Sequence, residues 1–197
     1  LNNISQGLGL ELVGYGKAEA LKVQNESEGG YNNRQSLDGG LDVNYNITPG
    51  LKASLTVNTD FAETEVDDRQ INLTRFPIRF PEKRDFFLEG ANIFRFAPSS
   101  GVYPYFSRKI GLRSGNPIPI LYGGRVIGKI GKVEVAAQQV KTRETDNFNS
   151  EDFSVIRLKQ NFLKESSIGV LYTRRHTNKG KEFVPPLQDR NTLGIDL

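Results

Sequence analysis

Apolar side chains recur at every second position over long stretches of this chain. Leu41, Val43, Tyr45 and Ile47 stand against Asp42, Asn44 and Asn46, and after Thr48-Pro49-Gly50 the series resumes as Leu51, Ala53, Leu55 and Val57 against Lys52, Ser54, Thr56 and Asn58. A period of two suits a pleated strand with two chemically different faces and does not suit a helix. The Pro-Gly turn between the two runs predicts an antiparallel pair.

The pattern extends to both sides. Upstream, Leu8, Leu10 and Leu12 open a long strand with Gly and Ala interruptions that reaches Val23. Downstream, Tyr122, Val126 and Ile130 oppose Arg125 and Lys129; Val133, Val135 and Ala137 oppose Glu134 and Gln138; Ile156 and Leu158 oppose Arg157 and Lys159. Ile168, Val170 and Tyr172 and a last run over 192–197 complete about nine predicted strands, one of them over 103–112. The connections alternate between short turns (48–50, 131–132, 164–167) and long polar ones (24–34, 143–151, 177–190). That rhythm fits a membrane β-barrel with short turns on its periplasmic side.

Composition points the same way. Only 37% of the 197 residues are hydrophobic, mean hydropathy is -0.47, and no run of about 18 apolar residues exists for a transmembrane helix. A barrel needs neither high hydropathy nor such a run. The expected fold is therefore all-β: a partial, antiparallel transmembrane β-barrel over residues 1–197. Leu41, Val43, Tyr45, Leu55, Val126, Ile130 and Ile156 are expected to face lipid, with Tyr15, Tyr45, Tyr122 and Tyr172 as interfacial aromatics. A soluble β-sandwich binding module is the competing architecture, since alternation alone does not say which face is wet. The absence of Met and the start at Leu1 read as a portion of something larger.

Several function classes drop out. Without Cys there is no disulfide framework, thiolate metal site or thiol nucleophile, and the lone His176 leaves no room for a His cluster. Lys and Arg exceed Asp and Glu by only 26 to 23, scattered along the chain, which is no nucleic-acid footprint. Gly123, Gly124 and Gly128 lack the strand-turn-helix setting of a nucleotide site. No cofactor and no metal are expected.

Residues 58–111 break the alternation and are dense in charge and Phe. Pro81, Glu82 and Gly90 bracket a predicted helix of about two turns with Phe86 and Phe87 packed inward. Asp60, Glu63, Glu65, Glu82 and Glu89 are the candidate catalytic carboxylates, because a pair held at a suitable separation hydrolyses glycosides. The interleaved cations favour an ion-pair network instead, with Arg75, Glu82, Lys83, Arg84, Glu89 and Arg108 as members and Arg75 or Arg108 as partners of the acids.

The runs TVNTDFAETEVD, INLTRFPIRFPEKRDFFLEG, YFSRKIGL and PIPILYGGRVIGKIG resemble the start of the C-terminal barrel region in a family of largely uncharacterised bacterial outer-membrane proteins. Members often carry an N-terminal module similar to family-nine carbohydrate-binding domains. The resemblance covers residues 41–141 well and the rest loosely, and departs from the pattern at Thr59, where Pro is expected, and at Lys109, where Arg is usual. It implies a bacterial outer-membrane location, with lipid and the remainder of the barrel or neighbouring membrane proteins as partners and glycans as a further candidate ligand. It implies no established activity, because hydrolase labels follow from the carbohydrate module. The expected function is a transport, assembly or surface-structural role. The alternative is an outer-membrane glycan-acting hydrolase using the central carboxylates.

Counting turns adds a topological expectation. With strand 51–57 and strand 103–112 both climbing from the periplasmic side, residues 59–102 must return between them, either as a wall strand near 72–80 or as a luminal plug-like insertion. Pro77 and Pro81, with Arg75 and Arg79, favour the plug, because Pro removes ladder donors and charged irregular backbone is tolerated at membrane depth only inside a lumen.

Overall fold

The computed structural model describes residues 9–24, 31–58, 81–97, 100–113, 116–162, 166–178 and 189–197. In chain order these form β1 (Leu10–Gln24), β2 (Tyr31–Thr48), β3 (Leu51–Val57), α1 (Asp85–Leu88), β4 (Leu112–Arg113), β5 (Asn116–Pro117), β6 (Ile120–Ile130), β7 (Val133–Thr142), β8 (Glu151–Asn161), β9 (Ser167–Thr177) and β10 (Asp189–Asp196). A 3-10 turn, Ser107–Lys109, precedes β4.

The fold is an antiparallel β-sheet of eight strands in the order β1-β2-β3-β6-β7-β8-β9-β10. The sheet is open, with β1 and β10 at its edges. Because neighbours in space are neighbours in sequence except at β3-β6, the turns at 49–50, 131–132 and 162–166 share one end. The strand ends that flank 25–30, 143–150 and 178–188 lie at the other.

Registers divide the side chains cleanly. One face carries the facing sets Leu12, Val43, Leu55 and Gly124, then Val126, Ala137, Ile156 and Tyr172. All seven residues expected to face lipid lie on this face. Leu41, Tyr45, Leu55, Ile130 and Ile156 are exposed, and Val43 and Val126 are half-buried. Tyr15 is the exception among the aromatics. Its pairing with Gly40 puts it on the opposite face, where its hydroxyl donates to the Asn58 carbonyl. Leu193, 70% exposed, and Ile195 extend the apolar face to the β10 edge.

The opposite face is covered by the described part of the connection between β3 and β6, residues 81–97 and 100–113, called the strap below. Its aromatics seat on small and aliphatic residues of the sheet. Phe94, with Ile93, Phe96 and Tyr105 around it, packs with Ile127, Ala136, Val155 and Leu171. Phe87, flanked by Phe86, packs with Ile110, Ile120 and Val140. Each fully buried side chain of this size contributes about 1.5 to 3 kcal/mol. The core thus lies between strap and sheet, and the apolar face takes no part in it.

Three expectations are corrected. Residues 103–112 are not a wall strand: they form the 3-10 turn and the two-residue β4, which pairs only with β5. β6 therefore pairs directly with β3, and the strap leaves and re-enters at the same end of the sheet. The helix is a single turn rather than two, ended by Gly90 at φ +68°, where a Cβ would lie 2.7 Å from Ile127 Cδ1. β2 begins at Tyr31 instead of near Leu41, because backbone pairing with β1 continues where side-chain alternation has stopped. Residues 72–80 lie outside the described residues.

Gly128 holds the β3-β6 junction together. Its φ is +150°, and a Cβ there would strike the Gly50 carbonyl oxygen and lie 2.8 Å from Leu51 Cα. Gly128→Ala is expected to cost about 1 to 3 kcal/mol, read as a lower denaturation midpoint. Gly14→Ala, where a Cβ meets nothing within 4 Å, leaves the midpoint near wild type.

Candidate functional site: a strap anchored by buried arginines

The covered face of the sheet is polar as well as covered. Arg125, Gln138, Thr142, Glu151, Arg157 and Thr177 of the sheet are buried there, as are Arg84 and Arg108 of the strap. Burial of a guanidinium is costly without a counter-charge and hydrogen bonds, and the strap supplies many of these partners.

Arg84, at the start of α1, joins two limbs of the strap. Its Nε and Nη2 donate to the two Glu82 oxygens at 2.7 Å each, a bidentate arrangement that fixes both planes. Nη1 donates to the Ile110 carbonyl at 2.6 Å and Nη2 also to the Ser107 carbonyl at 2.8 Å. The guanidinium lies 4.1 Å from the Phe87 ring centroid. Glu82 also accepts from Ser107 Oγ at 2.6 Å and from the Arg84 backbone N–H at 3.1 Å.

Arg125 of β6 holds the strap to the sheet. Its Nη1 donates to the Phe86 and Glu89 carbonyls, which a helix of one turn leaves without intrahelical donors. Its Nη2 donates to Glu89 Oε2 at 2.6 Å, and Lys52 of β3 meets the other Glu89 oxygen at 2.7 Å. At the β10 edge, Arg157 donates to the Asp196 oxygens at 2.5 and 2.8 Å, and Asp196 Oδ2 accepts the Ala97 backbone N–H at 2.9 Å. Glu151 takes Arg175 through both oxygens at 2.8 and 3.0 Å. Tyr105 accepts from Gln138 at 2.9 Å, and burial pushes its phenol far above the ordinary value, so it stays neutral.

Burial alone raises the Glu82 carboxyl, but the hydrogen bonds and charge of Arg84, with Ser107 and the backbone, outweigh it and hold the group below the ordinary Glu value. A depressed folded value means that the stability from this pair is complete above the ordinary value of about 4.3. It is lost as pH falls through the folded value. In acid titrations followed by circular dichroism, stability is expected to decline below about pH 4. Glu82→Gln is expected to start lower at pH 7 and to decline less over the same interval.

The structure brings some of the candidate residues together and not others. Glu82 and Arg84 pair with each other, and Glu89 pairs with Lys52 and Arg125. The cation on Glu82, Arg84, stands two residues along the chain, and those on Glu89 come from β3 and β6. Lys83 is exposed and Arg108 is buried in the 3-10 turn. Asp60, Glu63, Glu65 and Arg75 lie outside the described residues. Glu82 and Glu89 are engaged by cations, an arrangement suited to anchoring rather than to proton transfer. Among the described residues no three His, Asp or Glu side chains gather to hold a metal ion. Sequence reasoning missed Glu151, Arg175 and Asp196; the clue available was that all three, like Arg157, sit at positions of the covered face.

No curated protein and no solved structure matches the chain. The family described as "Domain of unknown function (DUF5916)" matches residues 9–120, which takes in the first three strands and the strap with its Glu82, Arg84 and Glu89 anchors. The match covers more than half of the 197 residues, and the chain belongs to that family.

Proposed function

We propose that this chain is part of the wall of a bacterial outer-membrane β-barrel, with its apolar face in lipid and its strap in the lumen as a plug. The observation that carries this reading is the inverted distribution of polarity. The open face of the sheet is apolar from Leu10 to Ile195, whereas the covered face buries Arg125 and Arg157 beneath a strap that buries Arg84 and Arg108. A soluble sandwich places these faces the other way round, and an exposed apolar patch of this extent marks a contact surface. Strands β6 to β9 are 10 or 11 residues long, which suits tilted membrane strands of about 9 to 11 residues. Resemblance to an outer-membrane family supports the same location. Lipid is one partner, and strands of the same barrel or of neighbouring membrane proteins pair with the edges at β1 and β10.

Within a transport, assembly or surface-structural role, an ion-paired strap across the inner face favours transport with a closed resting state. The glycan hydrolase alternative draws little from Glu82 and Glu89, which are held by cations. Refolding into lipid vesicles tests the reading. The chain is expected to co-float with vesicles, resist protease there and aggregate without detergent. A folded monomer in plain buffer supports the sandwich module instead, and release of products from defined oligosaccharides supports the hydrolase.

A further inference from the structure

Between the strap and the inner face of β8, β9 and β10 lies a cavity of about 270 Å³. Its floor is aromatic and aliphatic, with Tyr105, Ile110 and Phe153 among the lining residues, and among the described residues no Asp or Glu lines it. Four cations do. Two are balanced: Arg175 by Glu151 and, at the rim, Arg174 by Asp189 at 3.4 Å. Lys109 and Arg190 are exposed and pair with no carboxylate among the described residues. The register places Arg190 of β10 directly opposite Arg175 of β9, so the charge of Arg190 stands beside one that Glu151 already balances.

We infer that this cavity binds a small carboxylate carried on a ring, the carboxylate between Lys109 and Arg190 and the ring against Tyr105 and Phe153. The volume is just below the usual range for ligand sites, which limits the ligand to about one ring. An aromatic floor accepts either an aromatic acid or the apolar face of a sugar acid. The inference does not depend on the membrane reading, since the cavity lies on the covered face whatever surrounds the other.

Saturation-transfer NMR on the full chain in detergent tests it with three probes: benzoate, glucuronate and the cationic ring benzamidine. Benzoate or glucuronate is expected to bind, and the stronger of the two identifies the ring type. Binding weakens as salt rises from about 0.05 to 0.5 M. The double variant Lys109→Gln/Arg190→Gln is expected to bind about tenfold more weakly. Arg190→Gln alone is expected to lose about threefold, which keeps the test open if the double variant does not fold. Binding of neither anion, benzamidine binding as well as the anions, or unchanged affinity in the folded variants overturns the inference.

Discussion

Asp196→Ala is expected to destabilise the folded chain by about 3 to 5 kcal/mol, the range for leaving one member of a buried pair alone. Arg157 is 1% exposed, its two terminal nitrogens both end on Asp196, and its guanidinium lies over Gly169, where a Cβ would come within 2.6 Å of it. Removal of Asp196 leaves this buried guanidinium without its counter-charge. The Ala97 N–H bonded to the same carboxylate is released as well, so the strap loosens at the β10 edge. Chemical denaturation measures the loss. The paired replacement Arg157→Met with Asp196→Ala is expected to recover part of it, because it removes the stranded charge together with its partner. A loss below about 1 kcal/mol in the single variant, the value of an exposed pair, contradicts this account of the anchor.

The second large effect is on the other face. Val43→Arg in vesicle-inserted protein is expected to cost about 2 to 4 kcal/mol, as for a cation near the bilayer midplane. Val43 sits midway along the apolar row of β2 between Leu12 and Leu55 on the adjacent strands. Asn44→Arg, one residue along and on the covered face beside Glu11 and Ser54, is expected to cost far less. Equal tolerance of both substitutions removes the case for lipid on the apolar face.

The sheet was largely legible because strand side chains alternate with a period of two, so each run such as Leu51 to Val57 announced both its type and its two faces. Inner-face cations such as Lys52, Arg125 and Arg157 were identified by the same parity. What was not legible depended on contacts distant in sequence. Arg125 ends on Glu89, 36 residues away, and Arg157 on Asp196, 39 away; no local pattern connects them. Segment 103–112 was misread because counting turns called for a climbing strand there, whereas Pro104 and Gly111 at φ +74° turn the backbone out of any ladder. The helix fell short because Arg125, rather than further turns, satisfies its carbonyl ends.

Lipid contact is the central claim, and the absence of Cys makes it directly measurable. Single cysteines at Ile156 and Val170, on the apolar face, and at Val155 and Thr173, on the covered face, carry a fluorophore in vesicles that contain spin-labelled acyl chains. The account predicts strong quenching at 156 and 170 and little at 155 and 173, an alternation that follows the register. Quenching that is equal on both faces, or absent from all four positions, contradicts it.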